Sequence, residues 1–130
     1  MQISKQKVNK ILEKQLETML FQMVADIKTP NEAKDVFSGL LSETELITVI
    51  KRLGVGYWLT KGRSYEVIKD NLKVSSATIA SIQQDLNKPG WKLALKKILA
   101  EEWATKWEEK IKKFLGRNWK SNHKKHSVRQ

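Results

Sequence analysis

Ser76, Ala77, Thr78, Ser81 and Gln84 fall on one face of a short predicted helix, with Ala80 beside them. Their hydroxyls and amide donate and accept hydrogen bonds on short stems, and none of them is charged. Such a face suits close polar contact with base edges in a DNA groove. Arg63, Tyr65, Lys69 and Lys73 flank it and supply the donors that phosphate oxygens need, helped by amides at helix amino termini. For each of these residues plain solvent exposure is the alternative role. Bond-making chemistry has no comparable constellation. The chain shows no glycine-rich phosphate loop, no paired carboxylates in an apolar setting, and no serine or histidine placed as nucleophile and base. An enzyme is not expected.

The face must be held by its neighbours. The stretch SYEVIKDNLKVSSATIASIQQDL, residues 64–86, predicts two short helices joined by a tight turn. Val67, Ile68 and Leu72 make the buried stripe of the first helix, and Ile79, Ile82 and Leu86 that of the second. Val74 plugs the angle between them. Ser64 caps the first helix, and either Ser75 or Ser76 caps the second. This is a helix-turn-helix pattern with two departures. Lys69 stands where a small residue usually lets the helices touch, and its stem has to lie over that contact. Lys73 stands where glycine usually takes a positive φ.

The flanks also predict helices. From Ile3 to Ile27, apolar residues recur at three and four, giving a long amphipathic helix that needs a partner subunit or the carboxyl helix to cover it. Pro30 suits the first turn of a second helix over about 31–40. Ser42 and Glu45 form a capping box for a third, with Leu46, Val49, Ile50, Leu53, Tyr57 and Trp58 as its buried stripe and Gly62 as its stop. Gly54 and Gly56 weaken that helix, so close packing against them is expected. Pro89 and Gly90 break the chain before a last helix over about 91–115, in which Trp103 and Trp107 are core or interface anchors, with base stacking as the alternative. A membrane-surface role for that helix is a further alternative.

The chain has 130 residues and a formal net charge of +11, and residues 117–130 alone carry a net +5. Such a charge favours a polyanion, and the helix-turn-helix selects duplex DNA. Residues 1–116 are expected to form a single helical DNA-binding domain and 117–130 a basic, disordered tail. His123 and His126 lie in that tail without further ligands, so no metal is expected, and Trp119 has no assigned role. There is no cysteine, which fits a reducing cytosol. No uncharged apolar run approaches bilayer-spanning length, and the amino terminus is too polar for a secretory signal. A cytoplasmic, nucleoid-associated protein is expected, with no membrane partner.

The block LLSETELITVIKRLGVGYWLTKGRSYEVIKDNLKVSSATIASI resembles the Trp repressor superfamily, closest to its small Trp-repressor-related members. The LLS-x-x-E-L start, the KRL stretch, the KG-x-SYE-x-I junction and the SSATI run carry the resemblance, over a little more than a third of the chain. It implies an all-α fold of about six helices with a central helix-turn-helix, and an intertwined homodimer. It also implies a tryptophan corepressor gripped by two arginines. One of them matches Arg52, the other falls at Ser81, and the small residue after it falls at Ile82. Ser81 cannot stack on an indole or pair with a carboxylate, and Ile82 would fill the pocket. No tryptophan or other cofactor is therefore expected, and the residues name no small-molecule effector. The expected function is sequence-specific transcriptional regulation by a homodimer on a roughly palindromic site. A DNA-recognition unit of a transposase or replication system, or a helical protein-interaction module, are the alternatives.

Overall fold

The computed structural model describes residues 5–100 and 103–115, with side chains throughout except at 103–105, 107, 108 and 115. The expectations for the Trp103 and Trp107 side chains, and for Trp119, His123, His126 and the tail, lie outside the described residues. Among the described residues there are seven helices and no strand. The chain divides into two compact units, Met1–Leu46 and Ile47–Gln130.

In the first unit, α1 spans Lys10–Ala25 and α2 spans Pro30–Leu40. The expected start near Ile3 is corrected to Lys10. Asn9 takes an extended conformation, and its Oδ1 accepts from the amides of Ile11 at 2.9 Å and Leu12 at 3.3 Å, which fixes the first turn there. Thr29 caps α2 through Oγ1, which accepts from the Glu32 amide at 3.1 Å, and Pro30 takes the first helical position. Neither helix has a fully buried residue. Ile11 is 73% exposed, and Leu12, Leu16, Met19, Leu20 and Phe21 are also exposed. The apolar stripe of α1 is thus real but lies open to solvent.

Helix α3, Glu43–Thr60, starts in the first unit and continues into the second. The capping box forms as expected. The Ser42 amide donates to Glu45 Oε1 at 2.8 Å, and the Glu45 amide donates to Ser42 Oγ at 3.1 Å. The Ser42 amide first, and the Ser42 hydroxyl second, hold the Glu45 carboxyl below its ordinary range. The helix ends where Gly62 takes φ 78°, with the Gly62 amide donating to the Leu59 carbonyl and the Arg63 amide to the Trp58 carbonyl, both at 3.0 Å. Only glycine adopts that φ without steric cost. The expected stripe needs correction in its first half. Val55, Tyr57 and Trp58 are buried, but Val49, Ile50 and Leu53 are exposed.

The second unit continues with α4, Tyr65–Leu72, α5, Ser76–Asp85, α6, Pro89–Ala100, and α7, Trp103–Leu115. The single last helix expected over 91–115 is therefore two elements, and Pro89 opens the first of them rather than preceding it. Val55, Tyr57, Trp58, Val67, Ile68, Ile79, Ile82 and Leu95 form one buried cluster. Leu72, Val74, Leu86, Trp91, Ile98 and Ile111 pack around it. The two helix glycines explain part of this packing. A Cβ on Gly54 would lie 3.3 Å from Leu72 Cδ1, and one on Gly56 would lie 2.3 Å from Trp91 Cζ3. The Trp91 indole therefore rests directly on the α3 backbone.

Candidate nucleic-acid interface

The helix-turn-helix is built as its sequence pattern demands. Ser64 Oγ accepts from the Val67 amide at 3.2 Å and starts α4. Helix α4 stops at Lys73, which takes φ 55° and ψ 53°, the left-handed conformation. It is the one non-glycine residue with positive φ among those described. Its amide donates to the Lys69 carbonyl at 3.0 Å, and Lys51 Nζ on α3 donates to its carbonyl at 3.4 Å. The chain then enters α5 through Ser75, whose Oγ accepts from the Thr78 amide at 3.1 Å and lies 2.9 Å from Thr78 Oγ1. Of the two serines able to cap α5, Ser75 does so. Ile68, Ile79 and Ile82 are fully buried and lock the helix pair together. This plug fixes the angle at which the other face of α5 is presented.

That face carries most of the expected contact residues. Ser76, Ala77, Ser81 and Gln84 are exposed, and Thr78 and Ala80 are half-buried. No described helix covers Ser76, Ala77, Ser81 or Gln84. Thr78 is less free than its position suggests, because its hydroxyl is shared with the cap. Lys69 and Lys73 are exposed. Tyr65 is exposed too, but its hydroxyl donates to Gln83 Oε1 and so ties the start of α4 to α5. Arg63 is only 3% exposed, and its Nη1 donates to the Lys61 carbonyl at 3.1 Å. Its guanidinium therefore supports the α3–α4 junction and is not presented to a phosphate in this conformation. Gln83 and Lys51 escaped the sequence reading. Their partners lie 18 and 22 residues away, and no local spacing signals either bond.

Arg52 is exposed and lines a shallow recess with Val49, Leu53, Gly90, Trp91 and Ala94. No residue of α5 lines that recess. Ser81 faces solvent, and Ile82 is fully buried in the core. Among the described residues no group of side chains is placed to hold a metal ion, and no helix is long and apolar enough to cross a membrane.

No curated protein and no solved structure matches this chain. A family profile described as Trp repressor protein does match it, over residues 14–99, which is more than half of the chain. That span takes in α2 to α5 completely and most of α1 and α6. With the all-helical architecture and the helix-turn-helix at 64–86, the match places the chain in the Trp repressor superfamily, a family of helix-turn-helix DNA-binding regulators.

Proposed function

We propose that this protein is a sequence-specific transcriptional regulator that binds duplex DNA as a homodimer and works without a tryptophan corepressor. The observation that carries the reading is the outward face of α5. Ser76, Ala77, Ser81 and Gln84 stand exposed on a helix braced from behind by buried Ile79 and Ile82. Small uncharged side chains let the helix enter a major groove deeply enough for hydroxyls and an amide to meet base edges. Lys69 and Lys73 stand where phosphates would pass, and the net charge of +11 supplies attraction at longer range. Thr78 contributes through van der Waals contact and its remaining hydrogen-bond capacity.

The dimer is supported by α1. Its exposed Ile11, Leu12, Leu16, Met19, Leu20 and Phe21 form an apolar stripe of the kind that a second copy would cover. Two copies would present two α5 helices to half-sites related by a two-fold axis. Absence of the corepressor is supported by Ile82. Its side chain belongs to the core, so the chain has no opening there for an indole to enter.

Selection of bound sites from a random duplex pool tests the reading directly, and an inverted repeat is the expected product. Variants then separate the roles. Thr78→Ala and Ser81→Ala change sequence preference, whereas Lys73→Ala weakens binding to every duplex alike. Indistinguishable effects of these variants on all duplexes would defeat the assignment. Absence of any retardation of random duplex at low salt would defeat DNA binding itself.

A further inference from the structure

We propose that residues 117–130 act as a basic arm, which α7 delivers to the DNA backbone beside the helix-turn-helix, and which holds phosphates next to the site of α5. The inference rests on the DNA-binding reading above and adds a second contact to it. The segment holds Arg117, Lys120, Lys124, Lys125 and Arg129 and no acidic residue. Asn118, Ser121 and Asn122 add neutral donors of the kind that also meet phosphate oxygens. Five cations without a carboxylate to answer them have a chain of phosphates as their chemical complement. The match to the family profile ends at residue 99, so α7 and the arm lie beyond the part of the chain that it covers.

The position of α7 decides where that charge is released. Ile111 packs against the buried cluster and anchors the helix. Phe114 lines one groove with Lys51 of α3 and with Asn71 and Leu72 at the end of α4. Leu72 is followed directly by Lys73, the left-handed residue of the turn, whose carbonyl accepts from Lys51 Nζ. Helix α7 ends at Leu115, one residue after Phe114. The chain therefore leaves α7 close to the turn that leads into α5. The exit itself is basic, because Lys113 is exposed in the last turn of α7, whereas the charge of Lys112 is met by Glu109 at 3.6 Å. The fifteen residues after Leu115 can reach at most about 50 Å, more than one turn of duplex at about 34–36 Å. Phosphates flanking the groove that α5 enters lie within that reach.

The test compares the full chain with a full-length variant carrying Arg117→Gln, Lys120→Gln, Lys124→Gln, Lys125→Gln and Arg129→Gln. Affinity for the duplex selected from the random pool is measured from 50 to 200 mM salt. Each phosphate neutralised adds about 0.9 to the slope of log affinity against log salt, so an arm holding three phosphates adds about 2.7. Over that fourfold rise in salt, such an arm accounts for a loss of about 40-fold. The variant is expected to bind more weakly at 50 mM, with a slope shallower by about 2.7 or more for each arm engaged. Its ranking of duplex sequences and its melting temperature should match the parent. Lys124→Gln with Lys125→Gln alone should give a smaller change of the same sign. Hydroxyl-radical footprints locate the contact, and the parent should protect backbone contiguous with the α5 site that the five-site variant leaves open. A slope that differs by less than one phosphate's worth, or identical footprints, would overturn the arm and leave DNA binding standing. A slope change on an RNA hairpin with none on duplex DNA would assign the segment to another polyanion and overturn it too. A parent chain that retards no duplex at low salt overturns the DNA-binding reading, and the arm with it.

Discussion

The contact between Gly56 and Trp91 gives a prediction whose sign is the opposite of the usual one. Replacing glycine by alanine inside a helix normally stabilises by about 0.8–1 kcal/mol, because the unfolded chain loses freedom and the helix gains a better former. At Gly56 the new methyl would stand 2.3 Å from Trp91 Cζ3, 2.8 Å from Cη2 and 3.1 Å from Cε3. Carbon atoms rest at about 3.5–4.0 Å, so the indole has to retreat by more than an ångström. The ring is rigid and half-buried beside the core cluster, so it has no flexible end to swing aside. Overpacking of this kind costs about 1–3 kcal/mol, and the severity of the overlap puts it at the upper end. After the helix gain is subtracted, Gly56→Ala should lose about 2 kcal/mol and melt about 5–10 °C lower at fixed protein concentration. Gly39→Ala on α2 is the control, because nothing lies within 4 Å of its missing Cβ, and it should raise the melting temperature slightly. In a Trp91→Leu background the penalty of Gly56→Ala should largely vanish, a coupling of about 2 kcal/mol in a double-mutant cycle. A Gly56→Ala protein as stable as the parent would refute the seating of the indole on α3.

Further expectations concern the turn, the α3 cap and the ligand. Lys73→Gly should stabilise by about 0.5–1 kcal/mol, since relief of a left-handed non-glycine residue outweighs the entropy of an added glycine. Urea unfolding measures this, and a Lys73→Gly protein weaker than the parent contradicts it. The Glu45 carboxyl is held below its ordinary range mainly by the Ser42 amide, so the ionised form is bound more strongly in the folded chain. The stabilisation it brings is complete above the unfolded carboxyl value and is lost as pH falls through the lower folded value. Glu45→Gln should therefore lower the melting temperature near neutrality and converge with the parent in acid, and a constant gap across that range would count against the cap. Purified protein should show no micromolar heat of binding with L-tryptophan, because Ile82 lies in the core and Ser81 offers neither a cation nor a stacking plane. A saturable isotherm in that range would require a pocket that these positions do not provide.

Much of the helix-turn-helix was legible in the chain, and the reasons are local. Ser64, Val67, Ile68, Val74, Ile79 and Ile82 encode caps and stripes within one or two turns of each other, and periodicity captures such relations. The exception at Lys73 was also visible, because a turn of this geometry imposes its φ on whichever residue occupies it. The capping box at Ser42 and Glu45 and the stop at Gly62 belong to the same class. Exposure was less legible. Val49, Ile50 and Leu53 have the spacing of a core stripe yet face solvent, because periodicity reports which residues share a face and says nothing about what covers it. Arg63 failed for a related reason. Its charge suggests a surface group, but its place behind the Gly62 turn puts it inside.

By itself, then, the sequence determined the helical class, the caps and turns from α3 to α5, and the small uncharged side of α5, since each depends on residues within a few positions of one another. Tertiary structure alone decided that Trp91 rests on Gly56, that Tyr65 reaches Gln83, that Lys51 reaches Lys73, and that an apolar groove opens beside Gly54. These pairs join separate helices across tens of residues. Their distances are set by how the helices cross, which no local spacing contains.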